Sequence, residues 1–149
     1  MAVDGTHDTG EEWKQKVLYR QDLINSRDVS IDVGLYNDNT DALSQSDDIG
    51  DITSEPGSGN YGRQTLSLDS SDLTVTQDSG DIKVSGTVTF DVSNTTETVD
   101  GYFVVVTFQS DVVFAEGSQN DHLLISAVFG TTDLSNYTNI DITLSDTLS

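Results

Sequence analysis

The sequence contains no cysteine and only six basic residues among 149. The first absence excludes disulfide staples and cysteine-based zinc sites, and it removes the usual clue to redox compartment. The second excludes the basic surfaces by which proteins hold nucleic acid or anionic lipid. No apolar run reaches the ~18 residues of a membrane span, so no membrane insertion is expected. The opening MAVDGTHDTGEEW has neither the basic nor the apolar region of a secretory signal, and none is expected. There is no P-loop, dinucleotide fingerprint, His-Glu metal motif or GxSxG elbow.

What is abundant is aspartate. The 26 acids comprise 21 Asp and five Glu, and the formal net charge is −20. Repulsion of this size destabilises a folded chain in dilute buffer. At 1 M salt the Debye length is only ~3 Å, and the repulsion is screened. An Asp-rich, Lys-poor chain is therefore expected to come from a high-salt organism. Carboxylates then lose diagnostic value, because solvation alone accounts for many of them. Paired carboxylates serve glycosidases, but no two of the 26 stand out, and no enzymatic activity is expected.

The length suits one domain. Residues 1–10 read as a flexible tail that includes His7, and residues 11–149 as a single domain. The spacing of Trp13, Val17 and Ile24 predicts an N-terminal helix over 11–25. Residues 1–28 hold six acids and four bases, Lys14, Lys16, Arg20 and Arg27, whereas the rest holds 20 acids and two bases. After Arg27 the apolar period changes to two. VSIDVGLY and DIKVSGTVTFDV alternate as half-buried antiparallel strands do. In the latter, Ile82, Val84, Val88, Phe90 and Val92 are expected to face the core. GYFVVVTF is continuously apolar and reads as a central strand. DVVFAE, DHLLISAVF and NIDITLS read as separate further strands, with RQTLSL and DLTVT as shorter ones. The expected class is mainly β, an antiparallel, jelly-roll-like β-sandwich with one N-terminal helix.

Residues 37–62 form a long acidic loop, well beyond the ~12–15 residues usual for an unstructured connection. Asn37, Asn39, Asp41 and Asp48 fall at the first, third, fifth and twelfth places of an EF-hand-like loop and offer oxygens to a hard cation. The sixth place is Ala42 rather than Gly, the twelfth is Asp rather than Glu, and a solvated acidic loop competes with this reading. No organic cofactor is expected; a structural Ca, Mg, Na or K ion is the one candidate. Leu43, Ile49 and Ile52 would anchor the loop or supply apolar contact to a neighbour. Tyr61 would pack at the entry to the next strand, and Arg63 would pair with nearby acids. With Trp13, Lys14, Lys16 and Arg20, these residues are the candidate interface; Trp13 alternatively packs back on its own domain. Asn94 (NTT) and Asn136 (NYT) are N-glycosylation sequons in predicted turns.

The motifs VGLYNDNT, DDIGDITSEPGSGNYGRQTLSL, VDGYFVVV, DVVFAEGSQN and IDITLSDTLS follow in an order that resembles small β-sandwich structural proteins of tailed double-stranded DNA viruses. The likeness spans residues 11–149. It implies a capsid decoration, turret or tail-associated component, with no catalytic residues to carry over. The implied partners are major capsid or tail proteins and further copies of the chain, as a trimer, pentamer or hexamer. The implied location is the virion, made in the host cytoplasm; the acidity suits a halophilic archaeal host. A tail or baseplate component, or a carbohydrate- or receptor-binding module, is the alternative.

The charge generates the first prediction. The melting temperature should rise as KCl increases from ~0.1 M to ~3 M, where screening nears its limit. A flat or falling profile would contradict adaptation to salt.

Overall fold

The computed structural model describes residues 5–7, 29–66, 74–78, 81–114 and 117–148. The helix expected over 11–25, with Trp13, Lys14, Lys16 and Arg20, lies outside the described residues. The described chain is mainly β, with little helix. Its strands are β1 (Gly5–Thr6), β2 (Val29–Tyr36), β3 (Gln64–Thr65), β4 (Thr74–Asp78), β5 (Asp81–Asp91), β6 (Thr98–Phe114), β7 (Gly117–Asp133) and β8 (Asn139–Leu148). Every pairing is antiparallel. One sheet has the order β1-β7-β6-β2-β3 and the other β4-β5-β8; neither closes into a barrel.

Two expectations change. Residues 5–7 belong to the sheet rather than to a tail: Gly5 and Thr6 pair with Ser126 and Ile125, and the His7 N–H donates to Leu124 O at 2.8 Å. A two-residue strand is too short to leave a periodic signal. DVVFAE is not a separate strand either. β6 runs unbroken through Gln109, Ser110 and Asp111 and pairs with β7, absorbing the polar interruption in a register shift between Thr107 and Val112. A bulge lets a long ladder bend without ending it.

The alternation in β5 holds where side chains are described. Val88, Phe90 and Val92 are buried, while Thr87, Thr89 and Asp91 are exposed; the side chains of Ile82 and Val84 lie outside the described set. One core draws on both sheets: Val33 and Leu35 of β2, Tyr102 and Val104 of β6, Phe90 of β5 and Leu144 of β8 are among its members. Because successive residues of a strand point to opposite faces, Tyr36 and Phe103 turn the other way. They form a second cluster with Val105, Leu123 and Leu43. The five-stranded sheet is thus covered on both faces, which explains why Tyr102 through Val106 are all buried. A strand wetted on one face alternates; one buried on both does not.

Two glycines shape that second face. Gly34 pairs with Phe103, and Tyr36 pairs with Gly101. A Cβ at Gly34 would meet Phe103 Cζ at 2.3 Å, and one at Gly101 would meet Tyr36 Cε1 at 2.3 Å. Each ring lies across the bare backbone of the facing strand, and the two rings meet edge to face at 6.3 Å. Glycine here admits an aromatic to a position that any side chain would fill. The motifs GLY and GYF are one interlocked unit.

Phe90→Ala should destabilise by ~3–5 kcal/mol, since it empties a fully buried site. Gly101→Ala should cost ~1–3 kcal/mol through overpacking, and exposed Thr89→Ala should stay within about ±0.5 kcal/mol. Denaturant unfolding of the three variants checks the ranking; equal costs would mean the faces are assigned wrongly.

Candidate functional site

The acidic segment from Asn37 to Gly62 leaves β2, crosses the second face of the five-stranded sheet, and returns to pair through β3. It contains helix α1 (Asp38–Asp41) and a 3-10 turn at Ile49–Asp51. Leu43 is fully buried, and Ile49 and Ile52 pack against the same cluster. These three residues anchor the segment to its own sheet. The expectation that they offer apolar contact to a neighbour is corrected for Leu43, whose side chain is already closed to solvent.

The polar fastenings are mostly carboxylates. Asp100 of β6, itself buried, accepts from the Asp38 N–H and the Asn39 side-chain amide. It takes the place of an N-cap, since the side chain of Asn37 makes no capping bond. Tyr36 donates its hydroxyl to Asp38 Oδ1 at 3.2 Å. Burial first, and the Asp38 charge next, push that hydroxyl well above its ordinary pKa, so it stays a donor. Asp41 closes the segment on itself. Its Oδ1 accepts from the Thr53 N–H (3.1 Å) and hydroxyl (2.6 Å), and its Oδ2 accepts from the Ser54 hydroxyl at 2.5 Å.

Asp48 reaches β7. Its Oδ1 accepts from the N–H groups of Leu123 (2.6 Å) and Ile49 (2.8 Å), and its Oδ2 lies 3.3 Å from His122 Nδ1. Burial raises the Asp48 pKa, but the bonds from His122, Leu123 and Ile49 together outweigh it and hold the carboxyl below its usual value. Asp41 follows the same pattern, with Ser54 and Thr53 outweighing burial. Glu97 holds the return turn by accepting from the Gly57 N–H at 3.1 Å and from the Ser58 hydroxyl.

The exit is bolted at the sheet edge. β3 covers only Asp32 and Val33 of β2. Beyond it the Leu35 N–H donates to the Tyr61 hydroxyl at 2.8 Å, and the Asn37 N–H donates to Ser54 Oγ at 2.8 Å. Side chains thereby satisfy edge groups that would otherwise be open to another strand. Tyr61 stacks on Phe90 of the other sheet with centroids 5.9 Å apart. Arg63 bonds both oxygens of Glu55, the shortest distance being 2.7 Å, and lies 5.1 Å from the centre of the Phe103 ring. Tyr61 and Arg63 occupy the roles expected of them, at strand entry and as a partner of acids.

The proposed cation ligands are engaged one by one within the fold, although Asn37 Oδ1 is buried without a hydrogen-bond partner. Asn37 donates to Thr98 O at 3.0 Å, Asn39 to Asp100, while Asp41 and Asp48 accept as above. Among the described residues, no three His, Cys, Asp or Glu side chains group as a metal centre would need. Asn94 sits in a turn and Asn136 ends the 3-10 helix Leu134–Asn136; both are exposed.

Sequence reasoning missed the histidines' partners. His7 Nε2 lies 2.7 Å from Ser126 Oγ, with both residues fully buried, and the two are 119 positions apart. His122 is likewise closed to solvent. A nucleophile must reach its substrate, and both residues of this pair are closed to solvent. It also missed an open groove of about 670 Å³ between β7 and β8, lined by residues that include Val128, Tyr137 and Asp141. No local pattern marks it, because it joins two strands of different sheets.

Acid tests the fastenings. Asp41 and Asp48 titrate lower in the folded chain than in the unfolded one, so the unfolded chain takes up protons first. Their contribution is complete above the ordinary Asp value of ~3.9 and is lost as pH falls below it. Asp48→Asn should cost ~1–3 kcal/mol at pH 7, by weakening the acceptor of buried donors, and should flatten the loss of stability in acid. An unchanged acid limb in the variant would contradict this role. Compared with protein-family models, with curated proteins and with solved structures, the chain matches none.

Proposed function

We propose that this chain is a non-enzymatic structural component of a virus particle. Its expected place is a capsid decoration or turret protein of a tailed virus with a halophilic archaeal host; a tail or baseplate position is the alternative. The observation that carries the reading is the fastening of the acidic segment. Held by carboxylates along its length and bolted at both ends, it makes a fixed acidic layer over one face of the sheet. Such a layer suits a protein that works by shape in brine. The motif order of the sequence supports the same reading, and the interlocked GLY and GYF pairs give two of those motifs a mechanical reason.

The finer architecture belongs to the proposal as well. The shared core of the two sheets supports a jelly-roll-like β-sandwich. The partners would be further copies of the chain in a closed ring of three, five or six, and major capsid or tail proteins. Rings of this kind share the symmetry axes of virus lattices and tails. The charge disfavours nucleic acid. The near-neutral segment with Lys14, Lys16 and Arg20 would bring bases that can face a neighbour's acidic surface.

Light scattering at ~3 M salt, where charge is screened, should find a discrete oligomer, and reversing Lys14, Lys16 and Arg20 to Glu should weaken it. A strict monomer, both alone and with capsid or tail proteins present, would overturn the structural role.

A further inference from the structure

The open groove carries chemistry that a shape-only role does not need. Among the described residues, the large hydrophobic side chains left exposed are Val128 and Tyr137, 39% and 51% accessible, and both line this one groove. Its volume of about 670 Å³ lies within the ~300–1,000 Å³ typical of small-ligand sites. Tyr137 stands on a rigid corner. Its N–H donates to Leu134 O at 3.1 Å, and Leu134 is fully buried with its own N–H bonded to Glu97 O at 3.0 Å. On the other side Thr138 O accepts from the Val92 N–H at 2.8 Å. The backbone is pinned before and after the ring, while the ring faces water. A fixed aromatic loses little freedom on binding.

Polar residues flank this platform. Asn139, Asp141 and Thr132 line the same groove. One oxygen of Asp141 takes the Thr89 hydroxyl at 2.5 Å, and its second oxygen remains as an acceptor. An apolar ring face beside amide, carboxylate and hydroxyl groups matches a molecule with one C–H face and an edge of hydroxyls. Among the described residues no Lys or Arg lines the groove, and the Asp141 carboxylate disfavours an anion at contact range, where salt screens little. We propose that the groove between β7 and β8 binds a neutral saccharide, with Tyr137 stacking on a sugar ring and Asn139 and Asp141 bonding its hydroxyls. This site does not require the chain to belong to a virus particle.

The test uses the full chain at ~3 M KCl, where long-range charge effects are screened. Maltohexaose, cellohexaose, mannohexaose and, as the anionic contrast, a galacturonate hexamer are titrated against it, with saturation-transfer NMR as the readout. At least one neutral oligosaccharide should bind saturably, and the galacturonate should not. Tyr137→Ala should weaken binding at least tenfold with an unchanged melting temperature, whereas Tyr137→Phe should retain most of it. Val128→Ser, a second exposed groove variant, should weaken binding even if Tyr137→Ala perturbs folding. Absence of saturable binding by all three neutral sugars, preference for the galacturonate, or full binding by Tyr137→Ala and Val128→Ser would each overturn the proposal. Loss of self-association in Tyr137→Ala without sugar binding would reassign the groove to a contact between copies.

Discussion

The hydrogen bond from a backbone N–H or hydroxyl to a carboxylate does in this protein what ion pairs do in most others. Asp41, Asp48, Asp100 and Glu97 each accept from such donors, and together they hold the acidic segment across the sheet. Asp91 and Asp133 repeat the device at strand ends, each accepting the N–H and hydroxyl of the serine two residues on. Bonds of this kind to an ionised acceptor are short and strong. They work at contact distance, where salt screens little. A chain with six bases and 26 acids cannot pair its charges, and its many Ser and Thr hydroxyls take the place of cations.

That constraint orders the rest of the molecule. With the segment fixed, the second face of the five-stranded sheet is dry, and Tyr36 and Phe103 can lie across Gly101 and Gly34. With that face dry, β6 must be apolar on both sides. The free edge of β2 is closed by Tyr61 and Ser54 in place of strand residues, and Tyr61 also ties this edge to Phe90 of the other sheet. The described residues leave open an acidic outer layer and a groove whose exposed aromatic is held rigid.

The strands were legible where one face is wet and one dry. β5 alternates cleanly where its side chains are described, and the burial of Val88, Phe90 and Val92 was readable from the sequence. The continuous GYFVVV run also read correctly as central, although what covered its second face was not legible. Leu43, Ile49 and Ile52 marked an anchored loop because apolar residues are rare there. The acids that fasten it were hidden among 26 alike; nothing local separates Asp48, which reaches β7, from Asp47, which accepts from Ser44 three residues away. Nor does any spacing announce that His7 meets Ser126. Pairings over such separations belong to topology, and a two-residue strand carries no pattern to predict it.

Amide hydrogen exchange at ~3 M salt tests the fixed acidic layer most directly, because unfastened loops exchange freely while fastened ones are protected. The N–H groups of Leu35, Asn37, Asp38, Thr53 and Leu123, whose acceptors are side chains within or bonded to the segment, should be protected to nearly the degree of amides paired within β2 and β6. Exchange of these five at the rate of an unstructured chain, with the strands still protected, would contradict the account.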